Sequence, residues 1–286
     1  MSTKIISAIV VSALFAALIV GLCTSPAEAT IIHYNLDYDG LTVSGGEGVI
    51  NPPLEAEEPY TAIFTNSRLL DKAVPSNSSL DLANGITPVL LTGDPLHGAS
   101  APLDRLTNGA IAANKDEVTA SVVFNHSSTT SYGRIQIILP QAEEIGQVNT
   151  YSWHYYAGWG QRACQKYTLY ASDGKTPGFD AADPTSNGWD TLASVDSMIY
   201  LGGRNTYMDG QQGISILPDA GQLSIGNYQY FIFEIYSPNA YAEWNQDGSF
   251  YQEIDIVKGE VPEPSTLALL AAGLVGLLAY AWRKRK

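Results

Sequence analysis

Apolar and polar residues alternate with a period of two through most of the middle of the chain, the pattern of strands with one face in a core. Phe231, Phe233 and Ile235 interleave with Ile232 and Glu234, and Ile254 and Ile256 with Glu253, Asp255 and Val257. Ile135, Ile137 and Leu139 run up to a stop expected at Pro140. Further strands are expected over Ile31 to Tyr38, Thr119 to Asn125, Val148 to Tyr155 and Gln165 to Ala171. Turn pairs fall between them at Asp173-Gly174, Asn187-Gly188, Asp209-Gly210 and Asp247-Gly248. Residues 40–60, rich in Gly, Pro and Glu, are expected to be loop. No stretch of the middle keeps an i, i+3, i+4, i+7 apolar stripe for three turns. Many short antiparallel strands around one core predict an all-β protein, an antiparallel β-sandwich or jelly roll. Phe233, flanked by apolar residues two positions away on each side, is expected in that core.

Composition narrows the function classes. Of 286 residues 45% are hydrophobic, which is enough for a substantial core, and only 15% are charged. The net charge of −14 excludes a non-specific nucleic-acid binder, which needs a basic face. Two cysteines exclude a disulfide scaffold or a Cys-rich zinc domain. Cys23 belongs to the apolar leader, so Cys164 is left without a partner and is expected as a small buried residue.

Both ends carry addresses. Lys4 precedes an apolar run from Ile5 to Leu22, and Ala27-Glu28-Ala29 has the small-x-small form that signal peptidase cuts. Residues 1–29 are therefore expected to form a signal helix removed after Ala29; an uncleaved anchor is the alternative. Leu22 before Cys23 is too large for a lipoprotein signal. At the other end Val261-Pro262-Glu263-Pro264 precedes an apolar run, Leu267 to Trp282, and the chain stops at Arg283-Lys284-Arg285-Lys286. Prolines end the preceding strand, the run is about one membrane thickness as a helix, and the terminal cations stay cytoplasmic. A transmembrane helix is expected there, holding the folded part outside until processing. Without leader and tail, residues 30–260 keep 10 cations against 27 anions, a net charge of −17. Such a surface attracts divalent cations and repels acidic polymers unless a cation bridges them.

Pro262-Glu263-Pro264, the apolar helix and the basic end, in that order and spacing, resemble the PEP-CTERM sorting signal over residues 261–286. The resemblance implies a Gram-negative-type envelope and recognition by an exosortase, often alongside extracellular polysaccharide. In the middle, Leu106-Thr107-Asn108-Gly109, the strand ending near Trp153, Arg162, Tyr167 to Gly174, Trp189 with Leu192, Tyr230 to Ile235 and Tyr251 to Ile256 resemble a discoidin-like, galactose-binding-like jelly roll over about residues 100–257. That family includes many carbohydrate-binding modules. Its carbohydrate-binding members commonly hold a structural Ca²⁺ between an early Asp-Gly loop and the last strand; the matching positions here are Asn108 and Glu253. Asn108 stands where the family has Asp and offers an oxygen without charge. The domain plan is thus 1–29 signal, 30–260 β-sandwich and 261–286 sorting tail.

Catalytic motifs are missing. There is no His-Glu-x-x-His, Gly-x-Ser-x-Gly or phosphate loop, and His33, His97, His126 and His154 lack zinc-ligand spacing. Asn35 to Gly40 copies half of an EF-hand loop, but its twelfth position is Gly46, and the alternation there is that of a strand. The densest aromatic stretch is Tyr151, Trp153, His154, Tyr155, Tyr156 and Trp159. Tyr151, Trp153 and Tyr155 share one strand face and are expected to pack. Trp159, between Gly158 and Gly160, is the ring that a loop could present to a sugar, with His154 and Arg162 as hydrogen-bond donors; the alternative is a ring folded back over the core. The expected function is an exported, non-catalytic surface or matrix protein that binds carbohydrate. A purely structural envelope protein and a glycan hydrolase are the alternatives.

Overall fold

The computed structural model describes residues 31–38, 61–65, 79–110, 121–126, 130–154, 160–197, 210–238 and 248–259, with tail positions 277, 280 and 282–284. The expected signal helix (1–29) and most of the sorting tail lie outside these residues; among those described, no helix is long and apolar enough to cross a membrane. The 40–60 loop also lies outside them.

The described chain is all β. Ten strands follow in order: β1 Ile31–Tyr38, β2 Thr61–Thr65, β3 Val89–Gly93, β4 Val122–Phe124, β5 Tyr132–His154, β6 Lys166–Ser172, β7 Asp190–Asp196, β8 Gly210–Leu217, β9 Gly226–Tyr236 and β10 Ser249–Lys258. Two short 3-10 turns, Leu103–Thr107 and Gly160–Ala163, interrupt them. β1 coincides with the strand expected from alternation. Gly174 and Gly188 occupy positive φ, +74° and +88°, as their Asp-Gly and Asn-Gly turns require.

The 23-residue β5 organises the whole. Its first half pairs with β3 and β9, and β6 and β7 extend that ladder. Its second half pairs with β8 and β10; β1 and β2 continue beyond β8, and β4 beyond β10. Pro140 therefore does not end the strand as expected. It lies in an irregularity between Ile138 and Glu143, where β9 needs no hydrogen bond from that position, so the missing N–H costs nothing and the strand passes from one layer to the other.

The two layers face each other through their apolar sides. Tyr167 of β6 touches Phe233 in its own layer, with ring centroids 5.7 Å apart, and Tyr251 of β10 in the other, at 6.3 Å. Ile135, Leu169, Phe233, Val148, Ile214, Ile254 and Ile256 fill the space between. Cys164 is buried beside this core, and its Sγ accepts a 3.4 Å hydrogen bond from Gln212 Nε2.

A bulge between Tyr251 and Glu253 changes which residues of β10 face inward. Tyr251 points to the core before it; Ile254 and Ile256 do so after it. Glu253 and Asp255 take the opposite face. There they stand across the ladder from Tyr151 and Asn149. Tyr151 is buried, as expected, but on that polar side.

Candidate functional site

Three of the strands that frame the core, β5, β8 and β10, pack against one short turn. His154 ends β5 opposite Gly210 of β8, and Ser249 starts β10 opposite Phe124 of β4. The turn Gly160–Ala163 packs against β5, β8 and β10 and carries Arg162. The Arg162 guanidinium sits 5.9 Å from the centre of the Phe250 ring, a cation–π distance that holds its head near the start of β10. The backbone of His154 and the side chain of Arg162 are thus placed on one end of the molecule. Trp159 falls in residues 155–159, outside the described part.

A buried polar network fixes the turn that bears Arg162. Ser152 Oγ donates to the Ala163 carbonyl at 2.5 Å, and Gln165 Nε2 donates to Ser152 Oγ at 3.0 Å and to the Thr150 carbonyl at 3.1 Å. Thr150 Oγ1 donates to Gln165 Oε1 at 2.5 Å, and Gln165 N donates to Ser197 Oγ at 2.8 Å. Ser197 Oγ in turn donates to Gln212 Oε1 at 2.5 Å. All these side chains are buried. Paired in this way, they set one geometry for the turn at little net cost, whereas an unpaired member would be expensive.

Sequence spacing gave no hint of a second buried chain. His126 Nδ1 lies 2.9 Å from Asp94 Oδ2, and His126 Nε2 lies 2.8 Å from Ser249 Oγ. The order Asp–His–Ser has the connectivity of a hydrolase triad. Ser249 is 0% exposed, however, and His126 and Asp94 are nearly as buried. Burial depresses the His126 pKa below its usual value, and Asp94 opposes the shift. The chain ties the ends of β4 and β10 to the segment after β3; it does not present a nucleophile to solvent. The three residues are 32 and 123 positions apart, a separation that no local pattern reveals.

The turn after Thr107 meets the last strand. Gly109 N donates to Glu253 Oε1 at 3.1 Å. Asn108 itself turns back on its own loop: its Oδ1 accepts from Arg105 Nη1 at 2.8 Å and from Ala110 N at 3.1 Å. With a guanidinium on that oxygen, a cation there meets repulsion in place of an empty ligand. Glu253 has other neighbours. Asp81 and Asp255 are buried with it, and one carboxylate oxygen of each lies within 4.8 Å of the others. Burial pushes Glu253 up to about 9 and Asp81 up to about 7, and Asp255 adds to both shifts by repulsion. Neither Asp81 nor Asp255 was singled out by spacing or resemblance.

Comparison with known proteins gives one family match. Residues 260–286 fit the PEP-CTERM protein-sorting motif. This tail marks an exported protein sorted to the envelope of a Gram-negative-type bacterium through an exosortase. No curated protein matches the chain significantly. Among solved structures, the chain is similar to the lectin domain of lectinolysin complexed with Lewis B antigen: 11% identity, 64% of this chain and 99% of that one, TM-score 0.39. It is also similar to the family 32 carbohydrate-binding module of EndoD from Streptococcus pneumoniae, with 11% identity over 62% and 99% and a TM-score of 0.37. For chitosan-binding module 1 of a chitosanase/glucanase from a Paenibacillus species the identity is 14%, over 62% and 97%, and the TM-score is 0.34.

Proposed function

We propose that this chain is an exported, non-catalytic surface or matrix protein whose β-domain binds extracellular polysaccharide through the loop cluster around Arg162. The placement of Arg162 supports the reading best. A cation on a turn braced by a fully paired buried network is held before any ligand arrives, so less side-chain freedom is lost on binding. His154 ends the neighbouring strand, and residues 155–159, with Trp159 between two glycines, join it to that turn. A ring for stacking with donors beside it is the usual composition of a sugar site. The burial of Ser249 speaks against hydrolysis at the Asp94–His126–Ser249 chain. A domain with a net charge of −17 selects neutral or cation-bridged glycans over acidic ones.

Two measurements test this proposal. Trp159→Ala should abolish retention on immobilised polysaccharide and leave the melting curve unchanged, because few contacts carry most of a weak affinity. Loss of folding in that variant would make Trp159 a packing residue, and unchanged retention would move the site elsewhere. A glycan array with no binding at all would favour the purely structural reading. Mass spectrometry of the native protein should find neither residues 1–29 nor the basic terminus. Intact Arg283 to Lys286 on mature protein would contradict exosortase processing.

A further inference from the structure

Both addresses of the chain join the β-domain at one end, and the turn with Arg162 lies at the other. Ile32, Ile216, Val148 and Ile256 form one row across β1, β8, β5 and β10. In sequence, Thr30, the residue that the expected cleavage leaves first, precedes this row by two positions, and Gly259 follows it by three. Tyr38, Gly210 and His154 form a row at the opposite end, where the Arg162 turn is bonded to Ser152. From Val148 to His154, β5 spans about 20 Å at the usual rise per residue.

The place where the chain leaves β10 is fixed. Lys258 N donates to the Leu80 carbonyl at 2.9 Å, and Gly259 N to the Glu144 carbonyl at 2.7 Å. A Cβ on Gly146 would lie 2.8 Å from the Gly259 Cα, and one on Gly259 would lie 3.3 Å from the Ser224 Cβ. The strand therefore ends wedged between β5 and the turn that leads into β9. Two large apolar side chains flank this point in water: Leu80 is 53% exposed and Leu223, in that turn, 55%. The carboxylates beside them are bonded within the same end. Glu143 Oε2 pairs with Lys258 Nζ at 2.8 Å, and Glu144 accepts from Ser224 Oγ at 2.8 Å and from Asn227 Nδ2 at 3.3 Å. Only seven residues, 260–266, separate Gly259 from the apolar run that starts at Leu267. Fully extended, that link reaches at most about 29 Å, and the headgroup layer takes up about 5–8 Å of it. Leu277, Tyr280 and Trp282 of the run have helical backbone and exposed side chains.

We infer that this end of the β-domain is a membrane-facing surface: while the sorting tail is in place, Leu80 and Leu223 rest in the headgroup layer of a zwitterionic bilayer, and the Arg162 turn lies on the far side. The inference rests on the reading of residues 267–282 as a membrane helix. A short link keeps the effective concentration of the surface at the bilayer in the millimolar range, so two aliphatic side chains need little affinity of their own. A zwitterionic surface fits because a domain with a net charge of −17 is repelled by anionic headgroups. The Arg162 end stands at least about 20 Å farther out, so a glycan held there does not compete with processing at the membrane.

The test reconstitutes residues 30–286 through the tail into phosphatidylcholine vesicles, with a bimane label on Leu80→Cys, Leu223→Cys or Asn125→Cys. Asn125 is exposed and follows β4 at the Arg162 end, and Cys164 is buried and does not compete for label. All three positions are exposed, so the melting curves should match that of the unlabelled chain. Side chains at a membrane interface sit about 5–10 Å into the headgroup boundary, so a headgroup nitroxide lipid should quench labels 80 and 223 at least about threefold more than label 125. Flotation with the vesicles is read on the same samples. A chain that does not float refutes the membrane helix, and this inference with it. A chain that floats with labels 80 and 223 as bright as label 125 refutes this inference alone. Equal quenching of all three also overturns it, since the domain then lies on its side. Protection of labels 80 and 223 from aqueous iodide only when the exosortase shares the bilayer would give this face to the enzyme and overturn its assignment to lipid.

Discussion

Phe233→Ala is expected to cost about 3–5 kcal/mol of folding stability, a large part of the about 5–15 kcal/mol that a domain of this size has. Phe233 is 0% exposed in the middle of β9. Ile135 of β5 flanks it on one side and Leu169 of β6 on the other, and Tyr167 lies 5.7 Å from its ring centre. These neighbours belong to ladders on both edges, so they cannot close over the missing ring, and the cavity term adds to the transfer term. Denaturant titration checks the value, and the slope of the transition should stay constant. Ile138→Ala serves as the control. That side chain is 40% exposed on the neighbouring strand, so its truncation should cost about 0.5 kcal/mol or less. If Phe233→Ala were as mild as the control, the two layers could not be packed through this face of β9.

The strands that alternation reveals well are those whose register runs without a bulge. β1 begins and ends where the pattern does, and Phe231, Phe233 and Ile235 point inward as their spacing requires. β5 is harder to read because a proline inside a strand is a stop signal in every local rule. Its tolerance here depends on an irregularity that exists only once β9 is paired alongside. β10 misleads in a different way. Strict alternation puts Tyr251, Glu253 and Asp255 on one side, but the bulge at Gln252 shifts the parity and places Tyr251 in the core with Ile254 and Ile256. The same bulge leaves Glu253 and Asp255 on a side that would be solvent if Asp81 and the 108–109 turn did not meet it. Burial of acidic residues by a segment more than a hundred positions away leaves no periodic trace. The hydrogen bonds of His126 to Asp94 and Ser249 are hidden for the same reason.

Gln165→Leu should cost about 2–3 kcal/mol and should also weaken polysaccharide retention, although Gln165 is fully buried and touches no ligand. Leucine keeps most of the volume, so the cavity term is small and the effect reports the polar network. The substitution takes a donor from the Thr150 carbonyl and from Ser152 Oγ, and an acceptor from Thr150 Oγ1. Thr150 Oγ1 can still bond Tyr167 Oη at 3.0 Å, and Ser152 Oγ still reaches the Ala163 carbonyl, which keeps the loss below that of a full orphan set. The turn bearing Arg162 is then held by Ser152 alone on that side. Hydrogen exchange at Cys164 and Gln165 should quicken more than global unfolding explains, because local opening needs less free energy than the whole transition. Retention should fall in proportion to this loosening. Arg162→Ala alone should also weaken retention, and the double variant should lose less than the sum of the two, since both act through one guanidinium. Full additivity would separate the network from the site and leave Gln165 with a purely structural task.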